Sequence, residues 1–264
     1  MKLSFDVGST EEVRFCDPSL GSGCLTYREQ PFESTCFQNR TVEILEWEVD
    51  DFPSLFSLFM CEKGFKHDDL IYLRLPANNI VGIRQAEAAG FYYIECSIIP
   101  FIRLRNWDQA KFERFIKPTE SVTSDTISDV EEIAHSTFRS GRFNLDPHIG
   151  NDRADLRYLA WLRNAYENGE DIRILRHHDQ VAGFSLLRFE GDRVVYRLAC
   201  NRLDLKSTGL GMMLFASTMA YCKDQGIKHI DGGISMANLP VLNTMASLGF
   251  SFKDPTVVLH YYVD

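Results

Sequence analysis

A strand, a glycine-bearing turn and a helix meet between Arg193 and Gly226, and this junction limits the architecture of the chain more than any other stretch. Val194-Val-Tyr-Arg-Leu-Ala-Cys200 has the β-branched and aromatic content of a strand. After Lys206-Ser-Thr-Gly209-Leu-Gly211, the apolar run from Met212 to Asp224 reads as a helix stopped by Gly226. Such a junction turns free backbone N–H groups outward at the positive end of a helix dipole, and two glycines let another molecule approach closely. It suits a pyrophosphate. It also suits a plain tight turn, and its spacing is neither that of a Walker loop nor of the dinucleotide fingerprint.

Downstream, Ile227-Lys-His-Ile-Asp231 reads as a second strand, and Asn238 to Gly249 as a short helix with Asn238 as its cap and Gly249 as its stop. The same order occurs earlier: the strand Leu70–Leu75, the stretch Asn79 to Gly90-Phe91, then the apolar run Tyr92 to Leu104. In both places an Asn lies twelve positions before a Phe that follows Gly. This is an internal repeat of half a domain. The first copy has no K/Q/R-x-x-G-x-G sequence ahead of it, so only the second has the phosphate-type turn.

With 264 residues, 45% hydrophobic and 25% charged, the chain is globular and large enough for one big or two modest domains. A net charge of −9 argues against a general nucleic-acid binder, while leaving room for a local basic site. No signal-peptide core opens the sequence and nowhere do 18 apolar residues run together, so a cytoplasmic protein without membrane insertion is expected. The seven cysteines lack C-x-x-C spacing, and free thiols are expected rather than a disulfide frame or a zinc site at Cys16, Cys24 and Cys36. No metal is expected.

Asp50 or Asp51 caps a helix with Pro53 in its first turn, and Arg105 to Glu120 forms a polar connector. Ser128-Asp-Val-Glu131 has capping-box spacing ahead of an apolar stripe, and a second helix spans about Arg153 to Asn168. Strands at Ile172–Leu175 and Val181–Phe189 flank His177-His-Asp-Gln180, whose histidines are expected as exposed turn residues rather than ligands; Glu190-Gly-Asp-Arg193 is another hairpin turn. The fold class expected is mixed α/β, a mostly antiparallel central sheet flanked by helices.

This order resembles the GCN5-related N-acetyltransferases (GNAT), whose motif is Q/R-x-x-G-x-G/A; Lys206 departs from it but keeps the positive charge. Phe138-Arg-Ser-Gly-Arg142-Phe143-Asn-Leu-Asp-Pro-His148 with Tyr158-Leu-Ala-Trp161-Leu-Arg-Asn164 is similar to the branch that N-acetylates dTDP-linked 4-amino-4,6-dideoxy sugars. The resemblance covers about residues 40–264. It implies a truncated GNAT-like unit at 1–117 without a CoA site and a catalytic GNAT unit at 118–264. The co-substrate implied is acetyl-CoA: Asn201 and Leu203 pair by their backbone with pantetheine, and the amides of Lys206, Ser207, Thr208, Gly209, Leu210, Gly211 and Met212 hold the pyrophosphate. Asn238 either reaches the cofactor arm or simply caps its helix. Arg139 and Arg142, with Phe143, bind the nucleotide-sugar phosphates or form ordinary surface ion pairs. Other acceptors open to the family are small-molecule, amino-acid and peptide amines, and an inactive CoA-binding module is a further alternative. A second copy of the chain is admitted as a partner.

Acyl transfer from a thioester needs a neutral amine, a polarised carbonyl and a proton for the departing thiolate. The tyrosine that commonly supplies that proton in the family should fall at Met245, which cannot donate. Tyr262 or Tyr261 on the last strand, or solvent, must then serve. Asp231 either relays a proton from the amine or is structural.

Overall fold

The computed structural model describes residues 11–20, 23–138, 141–202, 205 and 209–264. By internal contacts the chain forms two compact units, Met1–Ser97 with Pro255–Asp264, and Ile98–Asp254.

The first unit is built on strands β1 (Val13–Cys16), β2 (Cys24–Glu29), β3 (Thr41–Glu48) and β4 (Leu70–Pro76), with α1 (Pro31–Phe37), α2 (Phe52–Lys63) and α3 (Ile80–Ala88) between them. β1/β2 and β2/β3 are antiparallel and β3/β4 parallel, the reversal following from α2, which carries the chain back across the sheet. Beyond β4 lies the last strand of the chain, β12 (Ser251–Tyr262), antiparallel from Thr256↔Pro76 to Tyr262↔Leu70. Strand alternation puts Val42, Ile44, Ile71, Leu73 and Leu259 on one face, where they pack with Phe52, Phe56 and Phe59 of α2. The opposite face carries a polar row in register: Arg28 opposite Glu43, Glu43 opposite Tyr72, Tyr72 opposite His260.

β5 (Tyr92–Arg103) leads into the second unit, where its end pairs antiparallel with β10 (His229–Asp231). β10 lies parallel to β9 (Arg193–Asn201), and β8 (Gln180–Glu190), β7 (Asp171–His177) and β6 (Thr119–Ser121) follow as an antiparallel run. The helices are α4 (Ile127–Thr137), α5 (Arg142–Leu145), α6 (Gly150–Glu167), α7 (Leu210–Asp224) and α8 (Leu239–Leu248); β11 is the short strand Ile234–Ser235. One core packs Phe215, Met219, Met245 and Leu248 against Ile102 and Ile230, and a second packs α4 and α6 against β7 to β9. The mixed α/β class with mostly antiparallel pairing is as expected.

The repeat extends further than its sequence signature. Each copy is a parallel strand pair bridged by a helix, then a short helix and a long strand: β3–α2–β4–α3–β5 and β9–α7–β10–α8–β12. The side chain of Asn79 accepts from Gly82 N–H at 3.0 Å and that of Asn238 from Val241 N–H at 3.4 Å. Gly90 and Gly249 sit at φ +94° and +93°, which a side chain would resist, and Phe91 and Phe250 each donate backward to the fifth residue before them at 3.0 Å.

Two expectations need correction. Cys16 and Cys24 form a disulfide, because β1 and β2 pair as a hairpin that sets these two residues directly opposite, a proximity their eight-residue separation does not announce. Cys36, Cys61, Cys96, Cys200 and Cys222 are outside any disulfide among the described residues. The α4 cap is Thr126 rather than Ser128: Thr126 Oγ1 accepts from Thr123 N–H at 2.9 Å, and this local turn starts the helix earlier. The polar connector after β5 contains 3₁₀ turns at Leu104–Asn106 and Ala110–Phe115, and Leu104, Trp107 and Phe112 enter the core.

Candidate functional site

β9 ends at Asn201 and α7 begins at Leu210, directly after Gly209 at φ +76°. Leu210 is buried with Leu175, Ala182 and Leu214, which fixes the helix start against the sheet, while Gly209 is exposed and a Cβ on it would meet open space. α7 has no side-chain cap and no acidic residue in its first turn. Among the described residues its first N–H groups therefore have no capping side chain at the positive end of the dipole.

The first copy shows the contrast. There Asp51 caps α2, its carboxylate accepting from Ser54 N–H at 3.2 Å, and that bond lowers the carboxyl's pKa. A carboxylate of the chain's own occupies the cap position in copy one, and Gly209, which has no side chain, occupies it in copy two.

Around the start of α7, Asn201 and Thr244 come together. A Cβ on Gly211 would lie 3.7 Å from Asn201 Nδ2 and 3.9 Å from Thr244 Oγ1, ordinary contact distances. Asn201 Oδ1 is buried and has no hydrogen-bond partner among the described residues, while the Asn201 carbonyl accepts from Thr137 Oγ1 at 3.4 Å. The amide sits over Gly183, its register partner on β8. Gly183 and Thr244 were not anticipated; a glycine inside a strand pattern was the available signal for the first.

Asn238 caps α8 by its oxygen, which leaves its amide group free of that bond. Leu203, Lys206, Ser207, Thr208 and Arg139 lie outside the described residues. Arg142 is buried, 8% exposed, with its guanidinium 4.2 Å from the Phe143 ring centre. Arg157 lies 4.7 Å from Phe143 and 4.9 Å from Trp161, and Arg197 lies 5.0 Å from Trp161 while pairing with Glu170 at 3.1 Å. Burial lowers the Arg197 pKa, against the pull of Glu170. Three guanidiniums thus lie against two rings, with Arg142 and Phe143 themselves buried.

The candidate catalytic groups are dispersed. Asp231 is buried and both its oxygens are taken by Arg193, at 2.8 Å each, a fork that raises the arginine's pKa; the carboxylate is thus engaged in an ion pair. Tyr261 belongs to the aromatic core of the first unit, 5.0 Å from Phe56 and 5.4 Å from Phe91, and Tyr262 is half-buried opposite Leu70. Met245 is 4% exposed within the core that includes Phe215 and Leu248. Among the described residues no group of three or more His, Cys, Asp or Glu is placed to hold a metal, and no helix is long and apolar enough to cross a membrane.

Residues 113–238 match the model of the acetyltransferase (GNAT) domain family. The spore coat polysaccharide biosynthesis protein SpsD of Bacillus subtilis (strain 168) is 20% identical over 266 residues, spanning 99% of this chain and 91% of that protein. A GCN5-related N-acetyltransferase from Sphaerobacter thermophilus superposes with a TM-score of 0.61 at 8% identity, over 91% of this chain and 80% of its own. A tandem GNAT protein from the clavulanic acid biosynthesis pathway gives 0.58 at 12% identity, over 92% and 80%. At these identities the structural likeness is one of fold. Residues 113–238 thus resemble a GNAT acetyltransferase domain, and the chain is an acyltransferase.

Proposed function

We propose that this acyltransferase moves an acetyl group from acetyl-CoA to the amine of a nucleotide-linked amino-deoxy sugar, with the cofactor held within residues 118–264 and none held by 1–117. The observation that carries the cofactor half is the uncapped, acid-free start of α7 beside open space at Gly209, set against the Asp51 carboxylate that fills the matching place in α2. The sugar half is supported by the polysaccharide biosynthesis protein that shares 20% of its residues, and by the guanidinium and aromatic stack of Arg142, Arg157, Phe143 and Trp161.

Acetyl-CoA would supply an activated carbonyl and a thiolate leaving group. The N–H groups of Gly209 to Met212 would bind and orient the pyrophosphate, with the Asn201 amide beside Gly211 and the Asn238 amide at the start of α8 as side-chain donors. The buried Asn201 oxygen would gain the donor it lacks from a cofactor amide, a stabilisation of about 1–3 kcal/mol. The sugar amine attacks as the neutral base. Solvent takes the proton that the attacking amine loses and delivers one to the departing thiolate, whose conjugate thiol has an ordinary pKa of about 8.5.

The deciding experiment is acetyl-CoA titration and thiol release with a panel of dTDP- and UDP-amino sugars beside simple amines. Gly211→Val should fold normally, since a Cβ there meets only ordinary contacts, yet weaken acetyl-CoA at least tenfold by blocking backbone approach. Unchanged binding by that variant would misplace the cofactor, and turnover of simple amines alone would reject the sugar.

A further inference from the structure

We propose a second ligand site in the unit Ile98–Asp254, at the far end of α7 from the cofactor turn, which binds a small molecule through a phosphoryl or diphosphoryl group. α7 has 15 residues and so spans about 22 Å, which keeps this end clear of the uncapped start.

Two cavities meet there. One, of about 410 Å³, is walled by Phe101, Arg103, Trp107, Lys111, Phe112 and the end of α8. The other, of about 550 Å³, is walled by Arg103, Arg105, Lys223, Gly226, Lys228 and His229. Arg103 is common to both, so the basic lining is continuous. Across the two cavities Arg103, Arg105, Lys111, Lys223 and Lys228 are opposed by one acidic lining residue, Asp108, in a chain whose net charge is −9.

Ordinary surface pairing does not account for this concentration. Among the described residues only Lys228 of the five has a carboxylate partner, Asp192 at 3.1 Å. Complementing the negative end of the α7 dipole accounts for Lys223, but not for cations on β5 and the turns after it. Arg103 stands directly opposite His229, and His229 opposite Arg193, so three nitrogen-bearing side chains share one row and one face of the sheet.

Two buried nitrogens point the same way independently of the charges. Trp107 is 5% exposed, and its Nε1–H has no acceptor among the described residues; Nδ1 of His229 is also buried without a partner. Each wall of the site therefore holds an unpaired polar atom among the described residues, which a ligand can relieve. A phosphoryl group offers several acceptor oxygens: one can take the indole N–H while others take the Arg103 fork. With Arg103, Arg105, Lys111 and Lys223 lacking carboxylate partners, a di- or trianion fits better than a single charge. A soluble diphosphate and an anionic lipid headgroup present this same chemistry.

The test is titration of the full chain with inorganic pyrophosphate at low salt, read by calorimetry with saturating CoA present to fill the other phosphate turn. Binding is expected to persist in Gly211→Val and in saturating CoA, and to fall at least tenfold in Arg103→Glu, where one charge-assisted contact worth about 1.5–3 kcal/mol is lost. Arg103 is exposed, and a thermal melt checks that the variant is folded. In parallel, sedimentation with vesicles containing phosphatidylglycerol identifies the lipid source if the chain pellets in an Arg103-dependent way and ignores pyrophosphate. Pyrophosphate binding abolished by CoA, binding indifferent to Arg103→Glu, or no response to either probe would each overturn the proposal.

Discussion

Gly183→Ala puts the contact between β8 and β9 to a direct test. A Cβ at position 183 would lie 2.8 Å from the Cys200 carbonyl oxygen and 3.3 Å from Asn201 Cα, and would overlap Asn201 Oδ1 outright. The side-chain oxygen can swing aside, but the carbonyl belongs to the neighbouring strand, so the two backbones must part by several tenths of an ångström. Overpacking of that kind costs about 1–3 kcal/mol, offset by about 0.4–1 kcal/mol because alanine restricts the unfolded chain. The expected net loss is about 1–2 kcal/mol, a Tm lower by about 2–8 °C. Asn201→Ala removes one of the overlaps but leaves the carbonyl, so the two substitutions should couple by about 0.5–1.5 kcal/mol in a double-mutant cycle. Urea unfolding and acetyl-CoA titration of the four proteins give both readouts. Affinity should fall with stability, since Asn201 abuts the start of α7. A Gly183→Ala protein as stable as its parent, with no coupling to position 201, would refute the packing argument.

Glu43 is 3% exposed and accepts from Arg28 at 2.7 Å, Gln30 at 2.9 Å and Tyr72 at 3.2 Å, with Arg74 at 3.1 Å; Glu43→Ala should cost about 3–5 kcal/mol in urea unfolding and Glu43→Gln less, and a cost below about 1 kcal/mol for alanine would contradict the network. Burial raises the Cys200 thiol and raises Cys222 to about 12, so a thiol reagent at pH 8 should label exposed Cys61 first and those two only on unfolding, as mass spectrometry will show; equal rates would mean the core is open. Because unfolding returns both thiols to an ordinary value near 8.5, the unfolded chain binds fewer protons above that pH, and stability should decline as pH rises from about 8.5 towards 12. Met245→Tyr forces a larger ring and a hydroxyl into a core position, costing about 1–3 kcal/mol without speeding thiol release; a tenfold faster and equally stable variant would restore the family acid to that place.

What could be read from the residues alone was whatever rests on local geometry. Asn79 and Asn238 cap, and Gly90 and Gly249 stop, through bonds that reach no more than five residues along the chain. The uncapped helix behind Gly209 was legible for the same reason. Pairings set by strand register were not. Cys16 meets Cys24 because a hairpin aligns them, Asp231 loses both oxygens to Arg193 across neighbouring strands, and Asn201 lies over Gly183 by the pairing of β8 with β9. Nor does a helix period alone tell that position 245 faces a core rather than a ligand.

β12 gives the first unit a peculiar debt to time. Leu259 is fully buried in that unit's core, and Thr256 to Tyr262 pair with β4, yet these residues follow the whole second unit in the chain. Between Ser97 and Pro255 the ribosome must add the whole second unit, a delay of roughly 8–30 s at 5–20 residues per second. Throughout it β4 presents an unpaired edge and Ile71 and Leu73 lack their neighbour. The first unit therefore cannot reach its final form until the second has been added, and loss of the segment Pro255–Asp264 would harm the unit that precedes it in the chain by more than 150 residues.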